Sequence, residues 1–187
     1  MNYIYQAACL LFVLTTSCQS TISSLSTPEH VRLGDQEMSS FAKEVKATNN
    51  LQLLGMGGGF LNRINKLSLT FSSEEAPTVD EARMIFFDLS TRFLSRVNQN
   101  EEIRPYLVDY PFTIENLELM ILFFGETPGR VKGVSFSPPY KHIWRPSYVL
   151  YSTDNLSTKE REISFRESYE EGLERFQKQQ QEKQAKK

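Results

Sequence analysis

INKLSLTFSSEEAPTVDEARMIFFDLSTRFLSRVNQN, residues 64–100, holds the two patterns on which the fold turns. From Ile64 to Phe71 the side chains alternate, with Leu67, Leu69 and Phe71 on one face and Lys66, Ser68 and Thr70 on the other. A period of two predicts a half-buried strand. Pro77 to Glu81 then reads as a capping box, with Thr78 at the N-cap and Glu81 three residues on. Ala82, Ile85, Phe86, Leu89, Phe93 and Val97 follow at helical spacing, Asp88 and Arg92 can pair at i,i+4, and Asn98-Gln99-Asn100 ends the run. A long helix with one apolar side should cover a sheet.

Toward the C-terminus, Ile103 to Phe112 is an aromatic, proline-stiffened connection that carries Arg104. Leu117 to Phe124 is apolar on both faces and reads as a central strand. Gly125 to Gly129 reads as a turn and Val131 to Ser137 as the returning strand. Pro138-Pro139 breaks the pairing, and Ile143 to Ser152 resumes it, with Pro146 pointing to an edge or a bulge. Ile163, Phe165, Tyr169, Leu173 and Phe176 give a second amphipathic helix, with Glu162–Arg166 and Glu171–Arg175 as surface pairs. The expected class is α+β: an antiparallel sheet of about four strands in the order β-α-β-β-β-α, with helices on one face. The other face, or an edge, would then be free for a peptide, lipid or protein.

Toward the N-terminus the chain reads as a targeting leader, residues 1–17, that is apolar from Ala7 to Leu14 and followed by Thr15, Thr16 and Ser17. Cys18 comes next, and the only other cysteine, Cys9, lies inside the leader. Cleavage before Cys18 would leave one thiol at the new N-terminus, as lipid attachment in a bacterial lipoprotein requires. The leader departs from that pattern in having no Lys or Arg and in carrying Thr15 where Leu is usual. Ordinary cleavage with secretion, and an uncleaved anchor, are the alternatives. Residues 18–34 read as a flexible tether and 35–60 as a short helix capped by Asp35 followed by a Gly-rich hinge. The remainder divides into an α+β domain over 61–176 and a polar tail over 177–187. The glycines at 55, 57, 58 and 59 lack the GK[ST] ending of a phosphate loop. A close backbone approach, and a mobile apolar loop over 51–61 contacting membrane or partner, are further readings of the same stretch.

A hydrophobic content of 40 % with 13 Phe and 8 Tyr supports a packed core, and a net charge of −2 argues against a nucleic-acid partner. A Cys-based metal site and an internal disulfide are both excluded for the domain, and no cofactor motif occurs. No GxSxG or HExxH is present. With His30 assigned to the tether, a hydrolase would have to rely on His142 or Asp109. Tyr140, His142, Trp144, Arg145 and Tyr148, with Arg104, form the candidate binding set, because cations among aromatics suit protein interfaces and glycan stacking alike. The plainer reading of the same segment is an ordinary edge strand with Trp144 turned into the core and its cations in water.

Glu81–Arg83 (EAR), Phe93–Asn100 (FLSRVNQN), Ile103–Leu107 (IRPYL) and Tyr110–Leu117 (YPFTIENL) resemble small exported proteins of intracellular bacteria to which no activity is attached. The resemblance implies an exported bacterial origin and no chemistry. The combined expectation is a non-enzymatic lipoprotein held in the periplasm or at the outer membrane through Cys18, with a protein or glycan partner.

Overall fold

A computed structural model describes residues 26–125, 127, 130–137, 148–153 and 163–185. The expected capping box is present: the Thr78 hydroxyl accepts from the Glu81 amide at 3.2 Å, and the Glu81 carboxylate accepts from the Thr78 amide at 2.8 Å. These bonds start helix α2, Val79–Gln99, which buries Ala82, Phe86, Leu89, Phe93 and Val97 together with Phe87. Ile85 is only partly buried against the same core.

Helix α1 spans Glu29–Asn49 and is followed by strand β1, Gln52–Gly59, and strand β2, Lys66–Ser73. After α2 come β3 (Leu117–Phe123), β4 (Gly133–Ser137), β5 (Tyr148–Ser152), β6 (Ile163–Ser168) and helix α3 (Tyr169–Ala185). The protein is α+β, with six strands in one sheet ordered β1-β2-β3-β4-β5-β6. β2 and β3 are parallel and the other neighbours antiparallel, so the sheet is mixed rather than antiparallel. The reason lies in α2. Its 21 residues run about 31 Å, enough to carry the chain back along the full length of β2 before β3 begins.

Three further differences from the sequence reading follow from burial. α1 starts at Glu29, inside the stretch read as tether, and Asp35 lies in its interior rather than at its cap. Leu33, Gly34, Met38, Phe41, Ala42 and Val45 are buried along it, so α1 belongs to the core. The helix ends at Asn49 and is capped by Asn50, which takes the left-handed conformation with φ 55°. The glycine-rich stretch is a strand, not a hinge. Ile163–Ser168 is also a strand, so α3 begins only at Tyr169, and it continues through most of the polar tail to Ala185.

All three helices pack on the face that carries Leu67, Leu69 and Phe71 of β2, Leu119 and Ile121 of β3, Val134 of β4 and Tyr151 of β5. Phe41 meets Phe71 edge-on at 6.5 Å and Phe93 at 4.9 Å, which joins α1, α2 and the sheet through three rings. At the far side, Phe87 meets Phe176 at 6.0 Å, and Tyr169 lies 5.2 Å from Phe87 and 5.6 Å from Phe136.

Candidate functional site

The other face of the sheet is read from the register. One row across it runs Gly55–Thr70–Met120–Ser135–Leu150–Arg166, and the next begins Gly57–Ser68–Glu118. At the β1 end both rows start with a residue that has no side chain and continue into small hydroxyls. The result is a shallow trough of about 640 Å³ lined by Gly55, Gly57, Gly59, Lys66, Ser68, Thr70 and Glu118 among others. Lys66 and Glu118 pair across its lower rim at 3.1 Å.

The glycines differ in what they do. A Cβ on Gly58 would lie 2.2 Å from the Lys66 carbonyl, and one on Gly59 would lie 1.8 Å from the Asn65 side chain, so packing demands glycine at both. At Gly55 and Gly57 a Cβ would meet nothing within 4 Å, and neither has a backbone that only glycine adopts. Packing therefore does not require glycine at 55 and 57. Glycine in a strand interior costs stability and is expected where another backbone or a ligand approaches closely.

β1 is also an edge. Its sequence, QLLGMGGG, has no charge and no proline, and Leu53, Leu54 and Met56 are exposed to 37, 54 and 42 %. A bulge falls between Leu53 and Gly55, after which pairing with β2 is regular to Gly59. Strand edges present every second N–H and C=O outward, and natural sheets usually guard them with charges. The opposite edge, β6, carries Arg166 and Glu167. β1 has no such guard.

Under β6 the charges are locked inward. Glu167 is buried and accepts from Arg83 Nε at 2.7 Å and from the Tyr151 hydroxyl at 2.6 Å, while Arg175 lies 3.4 Å away. Burial, then the Glu167 carboxylate, pushes the Tyr151 hydroxyl upward, so it stays a proton donor. Burial opposes the charge on Arg83, but its bonds to Glu167 and Asp80 raise it on balance. This buried network ties α2 to β5 and β6. A second set clamps α1 to α2: Arg92 and Arg96 bond Glu44, Arg96 also bonds Glu37 and Ser40, and Asn100 donates to Glu37 at 2.7 Å. The Arg92 bond, ahead of its own desolvation, holds the Glu44 carboxyl below the usual carboxylate range. The open groove of about 480 Å³ beside these residues is lined by groups already paired with one another.

Of the residues singled out from sequence, Cys18, Tyr140, His142, Trp144 and Arg145 lie outside the described residues. Tyr148 opens β5, and its backbone pairs with Ser137 and Ser168. Arg104 stacks on Tyr110 at 4.9 Å and donates to the Asn98 carbonyl at 3.3 Å, and its buried Nε has no hydrogen-bond partner among the described residues. Asp109 is exposed and accepts from Asn116 at 3.0 Å. His30 sits in α1 and donates to the Phe60 carbonyl at 2.7 Å. The described residues contain no group of three or more His, Cys, Asp or Glu side chains arranged to hold a metal, and no helix long and apolar enough to cross a membrane.

The trough escaped the sequence reading, although a signal existed. Gly55 and Gly57 are two apart, as same-face residues of a strand must be. Comparison with protein-family models, curated proteins and solved structures returned no match.

Proposed function

We propose that this protein is a bacterial envelope lipoprotein, anchored through acylated Cys18, whose domain is a non-enzymatic module that captures an extended polypeptide along β1. The observation that supports it best is the pairing of an uncharged edge with glycines at 55 and 57 that packing does not require. An incoming strand would pair its backbone with the outward groups of β1 and lay alternate side chains on the open face. Aromatic side chains on such a strand fold over edge glycines and cover the backbone that glycine leaves exposed. The favoured ligand is therefore an extended segment with an aromatic or large apolar residue at every second position.

A photo-crosslinking residue at Leu54 tests this in the full chain, with the same residue at Phe124, also exposed but just past β3, two strands in from the β1 edge, as the comparison. The expected result is a discrete adduct from position 54 that disappears in Gly57→Val while the melting curve is unchanged. Equal labelling from 54 and 124, or an adduct that survives Gly57→Val, would overturn the site. Loss of the adduct only in Trp144→Ala/Arg145→Ala would move it to the segment between β4 and β5. Palmitate labelling of the wild type and of Cys18→Ala reads the anchor separately, and equal labelling of the two would remove it.

A further inference from the structure

We propose that the end of the domain exposing Leu61, Val108 and Tyr110 is a lipid-docking surface that seats on the membrane holding Cys18; this rests on the anchor reading above and not on the β1 site. The three side chains are exposed to 92, 47 and 56 %. They belong to two loops that run side by side. Ile64 pairs with Leu107, its amide donates to the Tyr106 carbonyl at 2.7 Å and its carbonyl accepts from Val108 at 2.9 Å. Arg63 bonds the carbonyls of Pro105 and Leu107, which joins the loops again.

The tether leaves from this same end. α1 begins at Glu29, and His30 in its first turn bonds the Phe60 carbonyl and lies 6.3 Å from the Tyr106 ring. Only ten peptide units separate Cys18 from Pro28, a reach of at most about 36 Å. A lipid on Cys18 therefore keeps the start of α1, and with it this end, within that distance of the bilayer and favours its contact over that of the far end. The opposite end of the sheet, at Phe124, lies farther by the length of β2, roughly 25 Å for eight residues.

The chemistry suits the interface of a bilayer rather than its charge. Leu61 and Val108 are aliphatic, and Tyr110 has an apolar ring with a polar tip of the kind enriched at headgroup depth. The arginines nearby are engaged, Arg63 with backbone carbonyls and Arg104 with Tyr110 and Asn98. Glu101, Glu102 and Asp109 are exposed at the same end and oppose attraction to anionic lipid. Seating by insertion should therefore persist at high salt.

The thiol content makes the test clean. With Cys9 removed in the leader and Cys18 acylated, one introduced cysteine is the only free thiol. The acylated full-length protein carrying Leu61→Cys or Phe124→Cys is labelled with bimane and reconstituted in phosphatidylethanolamine–phosphatidylglycerol vesicles. The expected result is loss of iodide quenching and gain of quenching by bilayer-borne nitroxide at 61, with the reverse at 124. Vesicle flotation with position 61 as open to iodide as 124 would overturn the seating and leave the anchor standing. Shielding from iodide without nitroxide quenching would also overturn it, by assigning the surface to a protein contact. Failure to float, with labelling unaffected by Cys18→Ala, would remove the anchor and the seating together.

Discussion

Arg83→Met should be among the most damaging single changes away from the large hydrophobic residues. The Arg83 and Glu167 side chains are 3 % and 1 % exposed and meet at 2.7 Å, so removing the guanidinium strands a buried carboxylate. The remaining donors are the Tyr151 hydroxyl and Arg175, which is half exposed and 3.4 Å away. Breaking one side of such a pair costs about 3–5 kcal/mol. Arg83→Met/Glu167→Gln removes both charges but leaves an acceptor for Tyr151, and should recover most of the loss. The assay is urea unfolding followed by circular dichroism, with the slope unchanged. A cost below about 1 kcal/mol for the single variant, or a double variant no better than the single, would refute the view that Arg83 and Glu167 are a locked buried pair.

Gly57→Val should leave thermal stability unchanged or slightly higher, whereas Gly59→Val should lower it clearly, because only the second side chain meets an atom. Melting curves of the two decide it. Tyr151→Phe removes a hydrogen bond to a buried carboxylate and should cost about 1.5–3 kcal/mol in the same urea assay. Thr78→Ala removes the N-cap of α2 and should cost about 1 kcal/mol, visible as a lowered urea midpoint. Glu44 has its carboxyl held down in the fold by Arg92, so its contribution is present above the ordinary Glu range and fades as pH falls through the lower folded value. Glu44→Gln should flatten that part of the acid limb of the stability curve.

The parts of the fold legible in the sequence were those in which side chains carry a strong period. α2 has both a capping box and a continuous apolar stripe, and the alternation of β2 marks its buried face. What was illegible had no period or the wrong one. Half of β1 is glycine, which strands disfavour, and it is held by pairing with β2 and by α1 beneath it, not by its own propensity. Phe165 and Glu167 are two apart on β6, but a buried Glu does not read as an apolar position, so the following helix absorbed the segment. The start of α1 was hidden because Pro28 precedes it without a side-chain cap. The parallel β2–β3 pair depends on the length of α2 and on which strands become neighbours, and the latter is a tertiary fact. The candidate site was illegible for a related reason: its lining is defined by absent side chains, whereas the aromatic and cationic residues around Trp144 draw attention by being present.

Strand addition at the β1 edge is read out by titrating the isotopically labelled protein with an extended peptide alternating phenylalanine and threonine, followed through backbone amide shifts and amide exchange. A strand added there would give saturable shifts concentrated in Gln52–Gly59 and the adjoining β2, new protection at every second amide of β1, and loss of both in Gly57→Val. Shifts elsewhere on the domain with β1 unmoved, or a response that Gly57→Val leaves intact, would contradict it.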